Sequence, residues 1–187
     1  MKTAIIIHGY PDKEEYFDSN IPSPSNFHWF PWIQKQLLMK NILAQTPEMP
    51  EPYEPNYEKW KYMFEQFKID EETILIGHSC GAGFLVRWLS ENNIKVGKVV
   101  LVAPWLDPKH EIGNFFKFDI DPNLALKTAG LIAMYSTDVS STVIESVNTL
   151  KSSIKGVDFH EFTGKGHFTI GRMKTEKFPE LLKNVII

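Results

Sequence analysis

Thr73-Ile74-Leu75-Ile76-Gly77-His78-Ser79-Cys80-Gly81-Ala82-Gly83-Phe84-Leu85 is the stretch on which the fold turns. Thr73–Ile76 reads as a short buried strand, while Phe84, Leu85, Trp88 and Leu89 fall at helical spacing. Between them lies Gly77-His78-Ser79-Cys80-Gly81, of the form G-x-S-x-G. A strand that turns sharply into a helix at such a pentapeptide strains the serine backbone and lifts its Oγ above the sheet. Residues two before and two after the serine must be small for the turn to close. The helix N-terminus behind it favours developing negative charge. A glycine-rich turn without chemistry is the plainer alternative. The strand before and the helix after favour Ser79 as a nucleophile.

Outward from this unit, short apolar runs alternate with amphipathic segments. Further strands are expected at Ala4–Ile7, Lys98–Val102, Leu131–Tyr135 and Val157–Phe162, with a weaker one at Ile42–Gln45. They are nearly continuous in apolar residues, as buried parallel strands are. Helices are expected around Trp29–Leu37 after Pro31 at a first turn, Trp60–Phe67, Val143–Leu150 after Ser140 or Ser141 as N-cap, and Phe178–Val185. This alternation predicts an α/β fold, a mostly parallel sheet with helices on both faces.

Composition excludes several classes. The chain has 187 residues, which fits one domain over residues 1–187. A hydrophobic fraction of 43% is enough for a sizeable core and argues against disorder. Net charge is -3 without a basic stripe, so no nucleic-acid partner is expected. The first apolar run stops at Ile7, too short for a signal-peptide core, and no stretch approaches the ~20 apolar residues that cross a bilayer. Cys80 is the sole cysteine, which rules out an internal disulfide and suits a reducing cytoplasm. No phosphate-cradling or dinucleotide glycine motif follows any strand, and no histidine pair has metal-ligand spacing. No cofactor or metal is expected.

A serine hydroxyl needs a base. In sheets built around such an elbow the chain order is Ser, acid, His, with the base after the last strand. Of six histidines only His167, in Thr163-Gly164-Lys165-Gly166-His167-Phe168, meets both conditions. Asp138, after Leu131–Tyr135 and before a helix, is the expected acid, orienting the imidazole and stabilising its charged form. Asp107 is its rival one strand earlier, and Asp158 sits at the wrong sheet edge. The backbone N–H of Cys80 and that of Tyr10, in the His8-Gly9-Tyr10 turn after the first strand, are expected to hold an oxyanion. His8 could instead be a packing histidine. His78 is expected to pack or hydrogen-bond beside the elbow, and His28, His110 and His160 to be structural or exposed. Through His167, activity should rise with pH near 6.5, the ordinary histidine value.

Two irregular segments, Pro47–Pro55 and Trp105–Leu126, follow strand ends at the edge where open sheets bind ligands. Each reads either as a stiffened surface loop or as pocket wall. Met49 in the first and Trp105 at the head of the second join His8 and Gly9 as candidate substrate-contacting residues. No segment is long enough for a lid domain, so a small, partly aromatic pocket for short acyl groups is expected.

Together the Ile7-His8-Gly9 start, Met49-Pro50-Glu51-Pro52, Gly77-His78-Ser79-Cys80-Gly81, Ser136-Thr137-Asp138 and Gly166-His167-Phe168 resemble the small retinoblastoma-binding-protein-type serine hydrolases. These are compact α/β-hydrolases without a large cap domain, and the resemblance covers nearly the whole chain. It implies nucleophile, acid and base at Ser79, Asp138 and His167. Relatives often carry a double Asp and a following Pro at the acid, where this chain has Ser136-Thr137-Asp138-Val139-Ser140. The expected reaction is hydrolysis of a small acyl ester, thioester or activated amide through an acyl-enzyme. The alternative is a protein-binding scaffold with an idle triad. Nothing in the sequence itself indicates a protein partner.

Overall fold

A computed structural model describes residues 1–186. Six parallel strands form one sheet in the order β2-β1-β3-β4-β5-β6. They are β1 (Lys2–Ile7), β2 (Ile42–Gln45), β3 (Ile74–His78), β4 (Val99–Val102), β5 (Leu131–Ser136) and β6 (Val157–Phe162). Every residue of β3, β4 and β5 is buried, whereas the edge strands β2 and β6 each expose some of theirs. Central strands are covered on both faces and must be apolar throughout; edge strands have a wet side.

The expected helices are present as α2 (Phe30–Leu38), α3 (Tyr57–Phe64), α4 (Cys80–Glu91), α5 (Ser141–Ser153) and α7 (Pro179–Ile186). Asn56 caps α3 by accepting the Lys59 N–H at 3.1 Å, and that helix stops before Phe67, which still packs on the core from the following turn. Two short helices, α1 (Lys13–Phe17) and α6 (Ile170–Met173), were not expected, because five and four residues are too few to show a periodicity.

The sheet order reverses at β1. The step from β1 through α2 to β2 runs one way, and every later step runs the other. Right-handed crossovers then put α2 on the face opposite α3, α4 and α5. The packing agrees. Trp29, preceding α2, meets Phe178 before α7, while Phe64 of α3 stacks edge-on against Trp88 of α4 at 5.0 Å. The ends of β1 and β3 therefore flank the switch point, where crevices form in open sheets. Their register pairs Ile7 with Gly77, so His8-Gly9 and His78-Ser79 emerge side by side.

Candidate active site

Ser79 stands between β3 and α4 at φ 55°, ψ -120°, a conformation disfavoured for a side chain with a Cβ. Such strain costs on the order of 1–3 kcal/mol and persists only where the surroundings enforce it. Here Ser79 N–H donates to Val102 O at 2.9 Å, and Ser79 O accepts from Ala82, Gly83 and Trp105 N–H at 3.0–3.2 Å. A Cβ on Gly77 would lie 2.5 Å from Ala82 Cα, and one on Gly81 would overlap the carbonyls of Ile7 and His8. Only glycine fits on both sides of the serine. Cys80 opens α4, so its N–H has no acceptor within the helix.

The turn after β1 passes directly beside this elbow. A Cβ on Gly9 would stand 3.2 Å from Ser79 Cβ and 3.7 Å from its Oγ. His8 is buried, and its Nδ1 lies 2.7 Å from Gly9 O while its Nε2 lies 2.9 Å from Met49 N. Tyr10 is part-exposed and stacks on Trp105, 6.0 Å between centroids and 6° between planes.

His167 follows β6 in a loop braced from two sides. Asp138 Oδ1 accepts the Ser136 hydroxyl and the N–H groups of Gly164 and Gly166, at 3.0 and 3.1 Å. The Ser136 hydroxyl and these backbone bonds hold the Asp138 carboxyl below the usual carboxylate range. From the other side His78 Nε2–H donates to the His167 carbonyl at 2.8 Å, and the two rings are 5.1 Å apart. Burial lowers the His167 pKa to about 4. Burial, with His167 nearby, also takes His28 to about 4, and burial drives buried His78 well down. All three rings are neutral at pH 7. Asp107 is committed elsewhere: its two oxygens accept Glu111 and Ile112 N–H at 2.8 and 2.9 Å, folding its own loop at φ 51°.

Ser79, His78 and His167 open into a cavity of about 410 Å³ together with His8, Gly9 and Tyr10. Its remaining wall comes from Pro11–Phe30, through Tyr16, Ile21, Phe27 and His28, and from Thr169–Gly171. Neither Pro47–Pro55 nor Trp105–Leu126 contributes to this wall. Met49 and Trp105, expected at the substrate, do not line it: Met49 is fully buried with its N–H on His8, and Trp105 stacks on Tyr10. Parts of the two irregular segments meet each other instead. Glu51–Lys59 and Glu111–Phe115 line a second, more polar hollow of about 790 Å³ that shares Tyr10 with the first. His28, expected to be structural or exposed, is a cavity residue whose Nδ1 accepts Ile170 N–H at 3.4 Å. The signal that could have found this wall is length. Twenty-two residues separate β1 from α2, far more than a strand-to-helix turn needs, with Pro22 and Pro24 to stiffen them. Among the described residues no group of three or more His, Cys, Asp or Glu is placed to hold a metal ion. No helix among them is long and apolar enough to cross a membrane.

The profile described as serine hydrolase matches residues 4–181. The chain belongs to the serine hydrolase family. The chain is 32% identical over 106 residues to YdeN, described as a hydrolase, of Bacillus subtilis (strain 168); the match covers 54% of the chain and about half (50%) of that protein. The crystal structure of the B. subtilis ydeN gene product superposes with a TM-score of 0.82 at 24% identity, covering 98% and 96% of the two chains. Est1E of Butyrivibrio proteoclasticus with ferulic acid bound gives 0.62 at 12% identity, over 99% and 86%. The fold is that of the α/β-hydrolases, with no cap domain inserted in the sheet connections among the described residues.

Proposed function

We propose that this hydrolase cleaves small acyl esters, thioesters or activated amides as a carboxylesterase-like enzyme, with Ser79 as nucleophile, His167 as base and Asp138 as acid. One observation carries the proposal: the strained serine and the histidine after the last strand open into the same cavity beside the Gly9 turn. Ser79 Oγ attacks the substrate carbonyl carbon while its proton passes to His167 Nε2. The C–O⁻ so formed accepts Cys80 and Tyr10 N–H. The bond to the leaving group breaks, and that group takes the proton from His167. Water then repeats the sequence in reverse and frees the carboxylic acid. Asp138 Oδ1 is occupied by three donors, which leaves Oδ2 for the imidazole Nδ1–H.

The cavity supports a small-molecule acyl substrate, for about 410 Å³ stands near the lower end for ligand sites. The motifs support a place in the retinoblastoma-binding-protein-type branch, and the lone buried Cys80 supports a cytoplasmic setting. A fluorophosphonate probe should label Ser79, and Ser79→Ala should abolish both labelling and hydrolysis of p-nitrophenyl acetate with the fold intact. Failure of the wild type to label and to hydrolyse any activated ester would favour a scaffold with an idle triad.

A further inference from the structure

His8 belongs to none of the three catalytic side chains, yet its ring touches two loops of the site. Its Nε2 faces an N–H, that of Met49 at 2.9 Å, and can only accept. A neutral imidazole has one proton, so Nδ1 carries it and donates to Gly9 O at 2.7 Å. Glu48 Oε1, buried without a hydrogen-bond partner, lies 3.8 Å from Nε2, which has no proton to give it. Met49 is braced in turn, for Trp60 Nε1–H donates to the neighbouring Pro50 carbonyl at 3.0 Å. A chain of bonds thus runs from α3 through the Pro47–Pro55 segment and His8 to one peptide group.

That peptide joins Gly9 C=O to Tyr10 N–H. No cis peptide occurs among the described residues, so the two groups point in opposite directions. Gly9 lies against Ser79 and has no Cβ to resist rotation of this peptide. A rotated peptide would aim a carbonyl where the reaction needs a donor.

We propose that His8 is a positioning residue for the oxyanion hole: its Nδ1–H holds the Gly9 carbonyl, and so fixes Tyr10 N–H toward the oxyanion that forms beside Ser79. This rests on the acyl-transfer function proposed above. It also gives the Pro47–Pro55 segment a role as brace.

Two substitutions separate the ring's two bonds. His8→Asn keeps a donor near the Nδ1 position and loses the Met49 acceptor; His8→Gln keeps an acceptor near Nε2 and loses the donor to Gly9. On an activated ester, His8→Gln should lower kcat by about 10²-fold with KM within about threefold, as for loss of one oxyanion donor. His8→Asn should lose markedly less. Affinity for a boronic acid, which forms a tetrahedral adduct, should fall in step with kcat/KM. Long-range ¹H–¹⁵N spectra of the intact wild type should show the Nδ1–H tautomer, a readout that needs no variant to fold. An Nε2–H tautomer, or an Asn variant as impaired as the Gln variant in an active, probe-labelled protein, overturns this inference alone. A wild type that neither labels nor turns over removes the acyl-transfer function, and this inference with it.

Discussion

Gly77→Ala is the sharpest perturbation of the elbow. The new Cβ would lie 2.5 Å from Ala82 Cα, 2.6 Å from Ala82 N and 2.7 Å from Gly81 O, all backbone atoms of the first turn of α4. Ordinary contact begins at 3.4 Å, so something must move by about 3.4 - 2.5 = 0.9 Å. No side chain can rotate away to absorb it. Overpacking of this kind costs about 1–3 kcal/mol. At about 2–4 °C per kcal/mol for a chain of this size, Tm should fall by about 2–12 °C. The displaced turn carries Ser79 and the Cys80 N–H, and a misplacement near 1 Å can cost about 10²-fold in rate. Thermal melts give the first quantity. The second comes from kcat/KM on p-nitrophenyl acetate and from the rate of fluorophosphonate labelling. A variant with Tm within a degree of wild type and full labelling rate would refute the claim that the elbow has no room at this position.

Asp138→Asn should cut kcat severely, toward the about 10⁴-fold seen when a serine protease loses its orienting carboxylate. Asp107→Asn should spare kcat far more but lower Tm, because one of the two accepting oxygens becomes an NH2 that faces Glu111 or Ile112 N–H donor to donor and leaves a buried mismatch of about 1–3 kcal/mol; the opposite ranking of the two variants in kcat would move the acid to β4. In the proposed mechanism only neutral His167 can take the serine proton, and burial lowers its pKa to about 4, so kcat/KM should stay level from about pH 8 to 5 and fall only through about 4. The ordinary value near 6.5 would apply to a solvated ring, and a midpoint there would contradict the burial of His167. Stability has the same sign: His28 and His167 bind protons below their unfolded values, so the unfolded chain takes up protons first, and Tm should decline as pH falls from about 6.5 toward 4. In a series of p-nitrophenyl esters kcat/KM should peak at short acyl chains, since the cavity holds about 410 Å³; a steady rise to long chains would mean that the Pro11–Phe30 wall opens.

Strain and clearance at the elbow have a common origin in the sheet reversal. Because β1 and β3 are neighbours, the turn after one strand is pressed against the turn after the other. His78 ties the same elbow to the His167 loop through that residue's carbonyl. Three segments distant in sequence are thereby held to one another, by close packing of Gly9 on Ser79 and by the His78 ring on the His167 carbonyl, so the site is organised before a substrate arrives. Such preorganisation is what electrostatic stabilisation of an oxyanion requires.

The sequence by itself determined the strands and most of the helices, because buried parallel strands must be apolar throughout and helices must show a 3.6-residue stripe. Gly77-x-Ser79-x-Gly81 was legible for a similar reason: glycine is the only residue that fits there, so the constraint is written in the chain. The loops that carry Asp138 and His167, after β5 and β6, could be placed because strand order fixes which loops reach the sheet edge. Composition could not tell which loops wall the cavity. Pro47–Pro55 and Trp105–Leu126 look like pocket walls, yet they face each other across a separate hollow, while the unremarked Pro11–Phe30 stretch encloses Ser79. Loop direction depends on what each loop packs against, and those partners lie outside the loop itself: Glu48 holds Ser25 N–H, and Trp60 of α3 holds Pro50 O. The low pKa of His167 was equally invisible, for burial is a property of the assembled site and not of the residue. Tertiary structure alone gave His8 its tautomer, since the N–H that sets it belongs to Met49, forty-one residues away.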